Sequence, residues 1–268
     1  MKLFHTVVVS CLVVSSLTAH DFFLYASRFS AKPGERVKIK IHVHELFPGE
    51  AVKWNPQRIL RFEHRLGKTM SDGKAVKPEA DSSGVTFKLD QVGLHSFALD
   101  WAARFIDIKP DLFAKYLESE GLDHVLKLRK ERGEETKNGR ERYSRYVKTL
   151  INAGDGNSEA LDKVAGQTIE LVPLDNPYSK KVGDAIRIQL LYRGKPLVNN
   201  LISSTYVGAS DKPDTYAQSA RTDENGLATV RLTHSGPWLV RTVHMLPLTD
   251  SKDADWESWW ASITFEVR

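Results

Sequence analysis

The sequence predicts a mainly β protein: two immunoglobulin-like or prealbumin-like β-sandwiches joined by a short helical segment. Three observations carry that prediction. Short apolar–polar alternations separated by turn residues fill 20–109, the apolar period becomes helical over 110–155, and alternation returns over 166–268. Successive strand side chains point to opposite faces whereas a helix repeats every 3.6 residues, so a change of period marks a change of element. Several short strands at this spacing are the pattern of a sandwich.

Taken in order, residues 1–19 have the parts of a secretory signal: Lys2, an apolar stretch from Val7 to Val14, and a small-residue end at Leu17 and Ala19. Cleavage there predicts a periplasmic protein that begins at His20. A competing lipoprotein reading of Val8-Val9-Ser10-Cys11 has too short an apolar run ahead of the cysteine. Cys11 is the only cysteine, so the exported chain is expected to rely on its hydrophobic core rather than on disulfides.

In the first β stretch, Val37, Ile39, Ile41 and Val43 alternate strictly after the turn Ala31-Lys32-Pro33-Gly34-Glu35. Arg58-Ile59-Leu60-Arg61-Phe62, Val85-Thr86-Phe87-Lys88-Leu89 and Leu94-His95-Ser96-Phe97-Ala98-Leu99 read as further strands. The middle segment predicts three helices. Leu112, Phe113, Tyr116 and Leu117 mark the first, stopped by Gly121, and Leu122, Val125 and Leu126 mark the second, stopped near Gly133. Tyr143, Tyr146, Val147, Leu150 and Ile151 mark the third, and the basic run Lys127 to Lys130 reads as a solvated helix face. The last stretch holds strands at Ile169–Pro173, Ala185–Tyr192, Leu201–Val207, Thr229–Leu232, Trp238–Met245 and Ala261–Val267, with hairpin signals at Arg193-Gly194 and Asn225-Gly226.

Composition excludes several functions. The chain is 41% hydrophobic and 27% charged, with 38 basic residues facing 34 acidic ones in an interspersed pattern. This is a mildly basic solvated surface and no footprint for nucleic acid. After residue 19 no apolar run approaches the ~18 residues of a membrane span, so no stable membrane insertion is expected. P-loop, dinucleotide-turn, G-x-S-x-G and H-E-x-x-H motifs are all missing, and the expected role is non-catalytic.

The chemistry concentrates on histidine. A freed His20 offers its α-amino nitrogen and its ring Nδ1 to one transition metal ion, and imidazole suits copper, nickel and zinc. His42 and His44, at i and i+2 on one strand beside Lys38 and Lys40, are spaced for bidentate binding or form a solvent-facing pair. His244 is either a core histidine or a ligand, and His95 reads as a strand-surface residue. His64, His124 and His234 carry no assigned role. Trp256, Trp259 and Trp260 read as a plug at the end of the core, although exposed tryptophans would instead suit a sugar. Asp253, Asp255 and Glu257 cluster without a partner base.

Several phrases resemble one family. They are His20-Asp21-Phe22-Phe23-Leu24, Phe113 to Leu122, Gly139 to Lys148, Gly236 to Met245 and Asp255 to Ser262. Together they are similar to an exported bacterial family of unknown function, domain-of-unknown-function family 4198, often labelled as the periplasmic component of cobalt or nickel uptake systems. The resemblance runs through nearly the whole exported chain. It implies binding of a divalent transition metal (nickel, cobalt or copper) in support of uptake, with a membrane metal importer as partner. The family-like positions it offers as metal ligands are His20 and His244, and this chain departs from the pattern by adding His44 ahead of Glu45. The alternative expectation is a structural or adhesion-type module that binds a glycan or protein; a copper oxidase using the same terminal chelate is a third.

Overall fold

A computed structural model describes residues 20–154 and 164–268. The predicted signal and Cys11 lie outside the described residues. The chain is mainly β. The strands of its first half are β1 Asp21–Ala26, β2 Ser30–Ala31, β3 Arg36–His44, β4 Glu50–Val52, β5 Ile59–Leu66, β6 Thr69–Asp72, β7 Val85–Lys88 and β8 Gly93–Ile108. Helices α1 Pro110–Ser119 and α2 Asp123–Glu131 follow. The rest comprises β9 Gly139–Ala153, β10 Ile169–Pro173, β11 Ala185–Tyr192, β12 Lys195–Pro196, β13 Leu201–Tyr206, β14 Gln218–Arg221, β15 Leu227–Arg231, β16 Gly236–Pro247 and β17 Trp256–Val267.

Strands from both ends of the chain meet in one nine-stranded sheet of order β14-β13-β16-β17-β9-β8-β5-β6, with β2 also paired to β9. The closing strand β17 makes the join. It pairs antiparallel with β16 and parallel with β9, in register from Trp256 opposite Glu141 to Thr264 opposite Thr149. Two four-stranded sheets flank this layer: β1-β3-β4 with β7 on β3, and β10-β11-β12 with β15 on β11.

Alternation along β17 and β9 decides which neighbour covers which face. The Trp259 ring meets Tyr192 of β11 at 5.0 Å, while Trp260 stacks on Tyr116 of α1 at 5.8 Å. Thr264 and Ser262, on the Trp260 side, donate their hydroxyls to the carbonyls of Leu24 and Phe22 in β1. Lys148, on the other side of β9, forms a buried ion pair with Glu170 of β10. The β1 sheet and both helices therefore cover one face of the large sheet, and the β10 sheet covers the other. Trp256, Trp259 and Trp260 are all buried, as expected for a core plug.

The third expected helix is absent: residues 139–153 form β9. Its i, i+3, i+4 apolar pattern came from a strand buried on both faces, with every residue from Val147 to Ala153 buried, so the alternation that marks a one-sided strand is missing. The first two helices stand. Pro110 opens α1, where its missing N–H costs nothing, and Gly121 ends it at a φ of +63° that a glycine adopts freely. Phe113, Tyr116 and Leu117 of α1 and Val125 of α2 pack with Val243, Met245, Trp256 and Trp260. Arg129, read as part of a solvated face, is buried; its guanidinium lies over Phe113 and donates to the carbonyls of Glu134 and Lys137. The Arg193-Gly194 hairpin forms with both residues at positive φ.

Gly139 is held tightly at the foot of β9, where an added Cβ would run into the ring of the fully buried Phe113. Gly139→Ala should therefore destabilise the fold by roughly 1–3 kcal/mol, the usual range for overpacking, read as a lower denaturation midpoint at unchanged m.

Candidate functional site

The beginning of β1 lies where the β1 sheet meets the helices, above the large sheet. A buried ionic cluster pins it there. Arg241 of β16 points up between them; its Nε lies 2.8 Å from Asp21 Oδ1, and its Nη1 and Nη2 pair bidentately with Glu120, the residue that ends α1. Tyr216 donates its hydroxyl to Asp21 Oδ2 at 3.0 Å. The Arg241 guanidinium is sandwiched between the rings of Tyr216 and Trp260, at 5.2 and 5.1 Å. Burial works against the Arg241 charge, yet Glu120, Tyr216 and Asp21 outweigh it and hold its pKa well above the ordinary value. Burial pushes the Glu120 carboxyl up, with Arg241 opposing. A planar guanidinium suits this position because its fork matches a carboxylate while its faces stack on rings.

Asp21 is thereby fixed, and its neighbours with it. Arg145 of β9 donates toward the His20 carbonyl at 3.4 Å and lies 4.8 Å over the Phe22 ring. The His20 ring stands beside Glu45, with Nδ1 at 3.1 Å from Glu45 Oε1. The contact is close enough for an ion pair but is not aligned as a hydrogen bond, and Nδ1 is shielded from solvent with no hydrogen-bond partner. Asp214 completes the surroundings. Its backbone N–H donates to the Glu45 carbonyl, and burial, then Glu45 and Asp21, raise its carboxyl pKa against the pull of Arg241.

The other proposed ligands fall elsewhere. His244 is on the opposite face of the large sheet, among Tyr192, Trp259 and Asn200, whose Oδ1 lies 3.3 Å from its Nδ1. Burial, reinforced by His124, lowers its pKa to about 4. His20 and His244 are thus not brought together. His44 stands opposite Asp21 in the β1–β3 register, one residue from Glu45; its side chain lies outside the described residues. His42, expected to face solvent, is buried against Phe23 and Tyr25, with its Nδ1 2.7 Å from the Pro48 carbonyl, because the loop after β3 folds over that face. His95 is buried too. Its Nδ1 is 2.8 Å from His64 Nε2 beside a cavity of about 190 Å³, and burial, then His95, lower the His64 pKa to about 4. Asp255 and Glu257 are taken up by Arg140 and Arg142. Among the described residues, no three His, Cys, Asp or Glu side chains converge into a group that could hold a metal ion.

The family profile described as "Domain of unknown function (DUF4198)" matches residues 17–246. The chain belongs to this family. Residues 20–24 and the β16 phrase that carries Arg241 both lie within the match, so the pinned start of β1 is built from DUF4198 residues. No curated protein matches the chain. Among solved structures it is similar to the D0-D1 domain of Intimin, at 17% identity over 91% of this chain and 97% of that one, with a TM-score of 0.21. It is also similar to Escherichia coli alpha-2-macroglobulin activated by porcine elastase, at 11% identity over 91% of this chain and 20% of that one, with a TM-score of 0.24. The Yersinia pseudotuberculosis adhesin InvE is similar at 14% identity over 92% of this chain and 58% of that one, with a TM-score of 0.20. Likeness at this level says nothing of function.

Sequence reasoning missed Glu141 of β9. It is buried beneath α1, where its Oε1 accepts from the hydroxyls of Tyr116 and Ser258. Burial raises its pKa from 4.5 to about 7 against those hydrogen bonds. The folded protein therefore keeps a proton on Glu141 that the unfolded chain releases between those values, so the contribution of Glu141 to stability falls as pH rises from 4.5 to about 7 and levels off above. It is opposite in sign to that of the buried His64 and His244, which are held at about 4. Glu141→Gln should remove the Glu141 contribution and gain on the order of 3 kcal/mol over the parent at pH 8, with little difference at pH 5, by denaturant titration at each pH. Arg241→Met leaves Asp21 and Glu120 buried without their cation and should cost about 3–5 kcal/mol in the same assay.

Proposed function

We propose that this DUF4198 protein is exported, is cleaved after Ala19, and binds a divalent transition metal (nickel, cobalt or copper) without catalysis at the new terminus, in support of metal uptake or handling. The observation that carries this reading is the pair of His20 Nδ1, shielded and without a hydrogen-bond partner, and Glu45 Oε1 at 3.1 Å. Two ligands at ~2.1 Å from one ion, at right angles or a little wider, stand ~3 Å apart. The freed α-amino nitrogen of His20 would be a third donor, and His44 is one residue from Glu45 for a fourth. His244 belongs to a separate place on the opposite face and is left out of this set.

The surroundings favour a cation. Asp21, Glu45, Asp214 and Glu120 gather around the terminus and Arg241, and Glu45 and Asp21 add to burial in raising the Asp214 pKa. Pinning Asp21 and Phe22 spares a terminal chelate the entropy of ordering a loose end. A metal cargo would be released to a partner such as a membrane importer, for which the periplasm is the fitting compartment. The same reading takes the halves of the chain as immunoglobulin-like sandwiches that share the large sheet. The glycan alternative loses its platform, since the three C-terminal tryptophans are buried.

The test is nickel and copper titration of protein whose intact mass shows it to begin at His20. One extra residue ahead of His20 should weaken binding at least tenfold, and Glu45→Gln should weaken it severalfold. Affinity should also fall on acidification, because the chelate needs a neutral amine and imidazole. Equal affinity with and without the extra residue would overturn the terminal chelate.

A further inference from the structure

Beside the His20 carbonyl, three arginines approach one another without an acid between them. Strand β8 carries a bulge: Trp101 stands opposite Arg145 of β9, and the next paired residue, Arg104, stands opposite Tyr143. A bulge inserts an unpaired stretch, bends the strand and re-aims its side chains. Here the carbonyls of Ala102 and Ala103, inside the bulge, accept from Nη2 of Arg58, whose guanidinium lies 5.5 Å over the Trp101 ring. From β9, the guanidinium of Arg145 lies between the rings of Phe22 and Tyr143. Arg104 is exposed at the mouth.

Donors in this group are left over. Nε of Arg58 and Nε of Arg145 are both shielded from solvent and have no hydrogen-bond partner. Among the described residues none of the three arginines forms an ion pair, whereas Arg61, Arg140, Arg142, Arg187, Arg221 and Arg241 each do. Burial first, and then Arg104, push the pKa of Arg58 down. Burial and Arg104 push that of Arg145 down as well, while Tyr143, Asp21 and Glu141 support its charge. Buried guanidinium donors are ordinarily satisfied, because an unpaired one costs its full desolvation.

We propose that Arg58, Arg104 and Arg145 form a binding site for the oxyanion group, carboxylate or phosphate, of a small molecule. The guanidinium fork matches both groups with paired N–H donors. The rings of Phe22, Trp101 and Tyr143 stack on two of the three guanidiniums and set their planes. The site adjoins the pinned terminus through the Arg145 contact with His20, but it needs no metal and does not depend on the metal reading.

Calorimetric titration with inorganic phosphate and, separately, with citrate tests it on metal-stripped full-length exported protein at low salt. At least one probe should bind and raise Tm by several degrees, and 0.5 M sodium chloride should weaken the binding severalfold or more. Phosphate alone would assign a phosphate ligand and citrate alone a carboxylate. Arg104→Gln removes an exposed charge; it should weaken binding at least tenfold while leaving the probe-free Tm unchanged or raised, because the repulsion is relieved. Arg145→Lys, which keeps the charge and loses the fork, should also weaken it. Binding of neither probe, or undiminished binding by Arg104→Gln, would overturn the proposal. The protein with an extra residue ahead of His20 should keep oxyanion binding, which separates this outcome from failure of the metal site.

Discussion

The structure depends on where β17 inserts. A last strand that paired only with β16 would leave the C-terminal strands as a separate sheet; parallel pairing with β9 instead makes one continuous layer from β6 to β14. Parallel neighbours need a long crossover, and the chain from β10 to β16 supplies it by building the second flanking sheet on the way. Every residue of β17 from Ser258 to Phe265 is buried, because one side faces β1 and α1 and the other faces β10 and β11. Burying both faces makes the register strict, since a one-residue slip would exchange Trp259 and Trp260 between two differently shaped surfaces.

That register also puts Arg241 where it can act. Opposite Ser262 on β17, it emerges on the face shared by β1 and α1 and ties a carboxylate from each to the central sheet. A buried ion group of this kind is weak evidence for stability, since desolvation offsets much of the attraction. Its clearer effect is positional: Asp21 has one place to sit, and His20 and Phe22 take their places from it. The nearby arginines follow another logic. Arg58 and Arg145 are held by carbonyls and rings, with the exposed Arg104 nearby, and among the described residues none of the three forms an ion pair.

Parts of this were legible in the primary structure and others were not. The alternation of Val37 to Val43, the Pro110 start and Gly121 stop of α1, and the Arg193-Gly194 turn rest on local sterics and period, and they appear where the residues imply them. Strand β9 is not legible as a strand because both its faces are covered, so the pattern Tyr143, Tyr146, Val147, Leu150 and Ile151 fits a helix as well as a buried strand. His42 and His95 were read as outward-facing from alternation alone, which names a face but not what packs on it. His20 stands out because a signal-type cut point is predicted before it. No motif announces Arg58, Arg104 and Arg145, which are far apart in the chain and meet only through the β8–β9 register and the β8 bulge.

By itself the sequence determined the β-rich character, the two helices, the turns, and a histidine at the predicted start of the exported chain. These follow from side-chain period, backbone freedom at glycine and proline, and charge, all of which act within a few residues. Tertiary structure alone decided that the halves share a sheet, that His20 faces Glu45 instead of His244, and that three arginines converge without an acid. Those outcomes depend on strand order and register, which bring together residues from 25 to more than a hundred positions apart and which no local preference encodes.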